Sequence, residues 1–315
     1  MDNLIFCINA VIPSFIIIAA GYSVRLLKLM EEKSVKQFNK VCFNIFLPIV
    51  MFKTAYTSDF ARDFDARVIG VTVFCLLAMI FAMAFIAPKF TQQRGRIGVM
   101  IQNSFRSNAV LMGIPFAISL CGEEAAGPAA VLVVFVVPLY NLLSVLVFSV
   151  YNDKEKTRPN LTAVLKKIIT NPLIDGFLIG MAFNLLNLNL PQVIEKPVFS
   201  LASAGSTIAM FTVGAQLNFK SAVRNIKLTL VTAFAKLIVM PIMGTILSVI
   251  VGLEGAFLCA PFLILAMPCA TATAAQADGM NADGTLAAEM VVFTTAASII
   301  TIFIGSFILK TLGLI

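Results

Sequence analysis

No histidine occurs among the 315 residues, and only 12% of them are charged. The first absence removes His-ligated metal centres, His-based nucleophile triads and imidazole proton relays. The second leaves about half the charge of an average soluble domain, which carries roughly 25%. Cysteine pairs are missing too. Cys7, Cys42, Cys75, Cys121, Cys259 and Cys269 are scattered, mostly inside apolar runs, with no CxxC spacing. They are expected to act as small apolar fillers, and no structural disulfide is expected. Glycine-rich phosphate loops, metal-ligand spacings and basic blocks interleaved with aromatics are absent, so neither a metal nor a nucleic-acid partner is expected.

What the chain has is apolar residues, 59% of it, at a mean hydropathy of +0.96. That is too much to bury in one soluble core, and lipid must be the solvent. Apolar stretches of bilayer-crossing length fall at 4–27, 34–54, 66–87, 96–120, 126–150, 168–189, 196–217, 226–251, 255–277 and 285–311. The fold class is therefore an all-α polytopic membrane protein with ten transmembrane helices. The opening MDNLIFCINAVIPSF has no basic n-region and no A-x-A site, so it reads as a first span rather than a cleaved signal.

Lys and Arg set the orientation. One set of loops holds Arg25, Lys28, Lys33, Lys36, Lys40, Lys89, Arg94, Arg96, Lys154, Lys156, Arg158, Lys166, Lys167, Lys220, Arg224 and Lys227; the other holds Lys53, Arg62, Arg67, Lys196 and Lys310. The first set is cytoplasmic, which puts the chain in the inner membrane with both termini extracytoplasmic. Five spans (1–150) precede the basic link 151–167 and five (168–315) follow it. An odd-numbered half, repeated, must insert upside down, and inverted repeats are a transporter signature with the site where helices break near the midplane. The fourth span of each half carries such a breaker, Pro115 and Pro268. A proline deletes one backbone donor and crowds the preceding turn, and lipid offers the freed groups no partner. A single proline can be a simple kink, as for Pro13, Pro48, Pro138, Pro241 and Pro261; two at matching places beside small and polar residues point to a site.

Run 107–115 (SNAVLMGIP) resembles the fourth-helix motif of the auxin efflux carrier family, where Asn precedes a Met-Gly-Ile-Pro break. Run 204–217 (AGSTIAMFTVGAQL) resembles its seventh helix, and 266–271 (AMPCAT), 283–288 (DGTLAA) and 291–295 (VVFTT) resemble the ninth and tenth helices of bacterial members. The resemblance covers nearly the whole chain. It implies two inverted five-helix repeats, a scaffold and a transport domain, and broken fourth and ninth helices that cross at the substrate site. It also implies transport of small carboxylates, auxin in plants and malonate or related acids in bacteria. The long loop between helices five and six of the plant proteins is missing, which favours a bacterial-type member. Cys269 stands where bacterial members often have Thr.

On these grounds Asn108 is the first candidate. Its amide offers two donors and an acceptor, about two turns before a break at Gly113 and Pro115, and it matches the motif Asn. It would donate to a substrate carboxylate, or else tie helix four to a neighbour. Asn103 would bind, cap or pair. Gly113 and Pro115 would unwind the chain so that the next half-helix aims its N-terminal amides at an anion. Pro268, Ala270, Thr271 and Thr273 would do the same from the other half, or allow close helix packing. Arg106 and Lys236 lie inside spans, where ionisable groups are rare and costly. Each could balance an anionic substrate; Asp175 and Glu289 are alternative partners, and Arg106 could instead snorkel to the cytoplasm. Met79, Met83, Phe81 and Phe85 read as packing or lipid-facing residues.

The composite expectation is a secondary carrier for a small organic anion, with a conducting channel as the alternative. An intramembrane enzyme would want a convergent Asp/Glu or His cluster, which is absent. No organic cofactor is expected; coupling to protons or sodium and assembly as a homodimer are left open. Lipids surround the chain.

Overall fold

The computed structural model describes residues 2–57, 63–151, 170, 172–217 and 225–315. The basic link expected over 151–167 lies outside these residues apart from Tyr151, as do Arg62, Lys220 and Arg224. Among the described residues the regular structure is helical. In chain order the helices are α1 (Asp2–Leu26), α2 (Glu32–Val41), α3 (Leu47–Thr57), α4 (Ala66–Ile86), α5 (Arg94–Phe105), α6 (Ile114–Cys121), α7 (Ala126–Val150), α8 (Pro172–Leu185), α9 (Gln192–Gln216), α10 (Ile226–Phe234), α11 (Met240–Ile250), α12 (Gly255–Ala266), α13 (Thr273–Gly279) and α14 (Gly284–Thr311). Six helical stretches are long and apolar enough to cross a membrane: Asn3–Leu26, Ala66–Lys89, Glu123–Val150, Gln192–Gln216, Ile226–Ile250 and Gly284–Thr311. The chain is thus a multi-pass membrane protein.

Wide π turns interrupt three of the stretches, at Cys42–Phe46, Ala109–Gly113 and Ala235–Val239. Each ends two residues before a proline: Pro48, Pro115 and Pro241. A proline ring clashes with the carbonyl four residues back. Widening the turn moves that carbonyl aside, so the prolines are absorbed as bulges and the helix continues.

Helices pack in two sets. In one, α8 lies along α3, and α9 lies against both α1 and α3. In the other, α4 to α7 pack with α10 to α14, chiefly α4 on α5 and α11, α12 on α7 and α11, and α14 on α10 and α5. The first set owes its closeness to glycine. An ideal Cβ on Gly176 would stand 2.3 Å from the Pro48 carbonyl oxygen, and one on Gly180 would stand 2.4 Å from that of Phe52. Gly176 and Gly180 form a G-x-x-x-G face on α8, which lets two backbones touch where lipid removes the hydrophobic drive for association. Gly176→Leu is expected to lower the melting temperature of the purified protein, since overpacking costs about 1–3 kcal/mol. Gly70→Leu, with nothing within 4 Å, is the control; equal effects would contradict the assignment.

Face separates residues of one helix. On α4, Met79 and Met83 are buried at 3% and 1% exposure, whereas Phe81 and Phe85 are exposed at 68% and 61%. At its start, Asp65 caps the helix by accepting from the Arg67 amide at 2.8 Å. The Arg67 guanidinium, also bound to the Val251 carbonyl at 3.0 Å, holds the Asp65 carboxyl below its ordinary range.

One expectation is overturned. Cys121, at the end of α6, and Cys259, in the first turns of α12, form a disulfide across a sequence separation of 138 residues. Scattered spacing gave no sign of it, because the two helices meet only in the folded chain. The other four cysteines are free and buried. Thiol titration of the denatured protein is expected to find two more reactive groups after reduction than before. Six before reduction would contradict the pairing.

Candidate functional site

The fourth and ninth stretches are broken, and the two breaks are bonded to each other. α5 ends at Phe105, and Arg106 is extended (φ −82°, ψ 101°). α12 ends at Ala266, and Met267 is extended (ψ 145°), the conformation that a following proline favours in its predecessor. Ser107 and Cys269 then form an antiparallel bridge. The Asn108 amide donates to the Pro268 carbonyl at 2.8 Å, and the Ala270 amide donates to the Arg106 carbonyl at 3.1 Å. A short piece of sheet inside a helical protein answers an accounting problem: groups freed by the breaks are buried from solvent and must find partners within the protein.

The crossing gathers Asn103, Arg106, Asn108, Pro268, Ala270, Thr273 and Lys236. Asn103 is partnered at both ends of its amide. Its Nδ2 donates to the Val99 carbonyl at 3.0 Å, and its Oδ1 accepts from Thr273 Oγ1 at 2.9 Å. Asn108 is buried at 4% exposure, and its Nδ2 has no partner among the described residues. An unanswered buried amide donor costs about 1–3 kcal/mol; Gln102 Oε1 nearby is an unanswered acceptor, so Asn108 Nδ2 is the free donor of the break. Arg106 donates to Gln276 Oε1, to Asn141 Oδ1 at 3.0 Å and to Ser144 Oγ at 3.3 Å. Lys236, fully buried, donates to Ser107 Oγ and to the Leu265 carbonyl at 2.9 Å. Thr271 is half-buried in the turn before α13.

Three expectations change. Gly113 and Pro115 do not unwind the chain: the π turn absorbs Pro115, and the break falls upstream at 106–108, where the bridge can hold it. Asn108 therefore lies in the break itself and not two turns before it. The cations are not paired with the expected carboxylates. Glu289 instead accepts from the Asn225 side chain at 3.0 Å and from its backbone amide at 3.2 Å. Among the described residues neither Arg106 nor Lys236 has a carboxylate partner; neutral side-chain oxygens and the Leu265 carbonyl take their hydrogen bonds.

Sequence reading passed over Gln102, Ser107, Asn141, Ser144, Gln276 and Thr294. Gln102 donates to Gln276 Oε1 at 2.8 Å, four residues and one turn from Arg106 on the same face. Asn141 and Ser144, three apart in the apolar run of α7, carried a similar signal.

A cavity of about 640 Å³ opens where the two helix sets face each other. Ser14, Thr54, Pro115, Ser119, Ser206 and Thr207 line it, with Lys53, Asp63, Glu123 and Glu124 as charged neighbours. Pro115 lies seven residues beyond Asn108, about 10 Å along a helix. The Asp63 carboxylate rests over the first turn of α7, with Oδ2 2.0 Å from where a Cβ on Gly127 would be; a negative group there suits the helix N-terminus.

The profile of a family described as membrane transport protein matches residues 6–305. An uncharacterized transporter of Methanothermobacter thermautotrophicus is 21% identical over 303 residues, covering 96% of this chain and 98% of that protein. An uncharacterized transporter of Methanocaldococcus jannaschii is 23% identical, with the same two shares covered. Auxin efflux carrier component 5 of Arabidopsis thaliana is 24% identical over 83% of this chain and 84% of its own.

Proposed function

The chain belongs to the membrane transport protein family, to which the auxin efflux carriers belong, and from that premise we propose that it is a secondary carrier moving a small organic anion across the inner membrane by alternating access. In this reading ten spans form two inverted halves, 1–150 and 168–315, with both termini extracytoplasmic. The substrate is a mono- or dicarboxylate of malonate size. No residue is assigned a catalytic role.

The observation that carries the reading is the buried, unpartnered Asn108 Nδ2 at the crossing of two broken helices. A carboxylate entering the bilayer midplane loses its water and needs donors in exchange. Asn108 supplies one. The half-helices beginning after Asn108 and Ala272 add amides at their positive ends, and Arg106 and Lys236 add full charge. Pro115 and Pro268 shape the two half-helices, Gly113 packs against Ile264, and Thr271 and Thr273 border the second break. In this account the cavity between the helix sets is the outward access, with α1, α3, α8 and α9 as the scaffold, and the other set moves against it.

A ligand that binds only the folded protein raises its melting temperature, by about 2.7 kcal/mol of stabilisation at a hundred times Kd. Thermal melts of the purified protein against a panel of small carboxylates are expected to give a rise with at least one of them. Melts unmoved by every carboxylate, but raised by a neutral or cationic solute, would overturn the anion assignment.

A further inference from the structure

Each break orphans a backbone carbonyl, and the two are answered differently. In a continuous α5 the Asn103 carbonyl would take the amide of Ser107; it takes the Cys269 thiol instead, at 3.1 Å. In a continuous α12 the Leu265 carbonyl would take the amide of Cys269, which goes to Thr294 Oγ1 at 3.1 Å. The Leu265 carbonyl takes the Lys236 ammonium at 2.9 Å, and that ammonium also donates to Ser107 Oγ in the bridge. Lys236 reaches this place from the π turn Ala235–Val239, fully buried. Among the described residues its hydrogen-bond partners are a hydroxyl and a carbonyl. Glu289, on α14 beside that turn, is turned toward Asn225.

A cation at the C-terminal end of a half-helix, held by freed carbonyl and hydroxyl oxygens at a midplane break, is the arrangement by which broken-helix carriers hold a coupling ion. Here the protein's own side chain fills it. We propose that Lys236 is a resident cation: its ammonium occupies the position that an alkali cation would otherwise take at the crossing, so that the protein holds its two breaks together with no bound Na⁺. The inference rests on the carrier reading for its meaning in transport. Its test uses no transported substrate, so the two can fail separately.

Lys236→Ala removes a propylammonium group from the site. Melting temperatures of wild type and variant are compared in sodium, potassium and N-methylglucamine buffers of equal ionic strength, with added n-propylammonium or its neutral counterpart 1-propanol. The wild type is expected to melt at one temperature in all three cations. The variant is expected to melt lower and to recover with propylammonium but not with propanol. A wild type stabilised by sodium over potassium would overturn the proposal, as would a variant that recovers equally with the alcohol or with neither. Should Lys236→Ala not be recovered folded, Lys236→Met decides, because it keeps the bulk and drops the charge. A melting temperature equal to that of the wild type overturns the proposal, and a clear drop supports it.

Discussion

Asn108→Ala is expected to weaken binding of the carried carboxylate about tenfold to a hundredfold, with folded yield near normal. A hydrogen bond to a charged group contributes roughly 1.5–3 kcal/mol, and each 1.4 kcal/mol is a factor of ten. Folding should tolerate the change because Asn108 Nδ2 bonds nothing among the described residues. The backbone amide that holds the crossing to Pro268 is kept by alanine. Thermal-shift titration of wild type and variant against the same carboxylate checks it. Undiminished binding would make Asn108 a packing residue and remove the site's best-placed donor.

Arg106→Gln is expected to separate ligands by charge, costing a dicarboxylate about tenfold or more in affinity and a matched monocarboxylate little. The reason lies in its partners. Gln276, Asn141 and Ser144 are all neutral, so they orient the guanidinium without cancelling its charge. Helix N-termini supply about half a unit charge each, enough with Asn108 for one carboxylate. A second carboxylate needs a full charge in a medium where an uncompensated ion is costly. Titrations with malonate and a monocarboxylate of similar size distinguish the cases. Equal losses for both ligands, or none for either, would leave Arg106 as a strut between α5, α7 and α13.

Much of this was readable in the residues. The apolar stretches fix the helices closely: the stretch at 126–150 coincides with Ala126–Val150, and that at 285–311 with Gly284–Thr311. Pro268 marks its break because a proline disfavours helical geometry in the residue before it, and Met267 takes the extended alternative. Pro115 misleads because the same clash has a second solution, a π turn, and only packing chooses between them. The bridge between Ser107 and Cys269 and the pairing of Cys121 with Cys259 join residues well over a hundred positions apart, and no local pattern encodes such a meeting. The glycines at 176 and 180 carried a readable spacing whose partner face, on α3, the sequence does not name. The neutral company of Arg106 and Lys236 was the hardest to foresee, because Gln276, Asn141, Ser144 and Ser107 come from other parts of the chain and the Leu265 carbonyl is made available only by the break.

The central claim is that a small carboxylate is carried through the crossing. The most direct measurement is counterflow in proteoliposomes loaded with an unlabelled carboxylate that stabilises the purified protein, following uptake of the labelled compound. The account predicts transient, saturable accumulation above equilibrium with the wild type, and its loss with Asn108→Ala at equal protein content and orientation. Uptake that rises linearly with concentration and never overshoots would mark a conducting pathway, and overshoot unchanged in the variant would place the carried anion elsewhere in the protein.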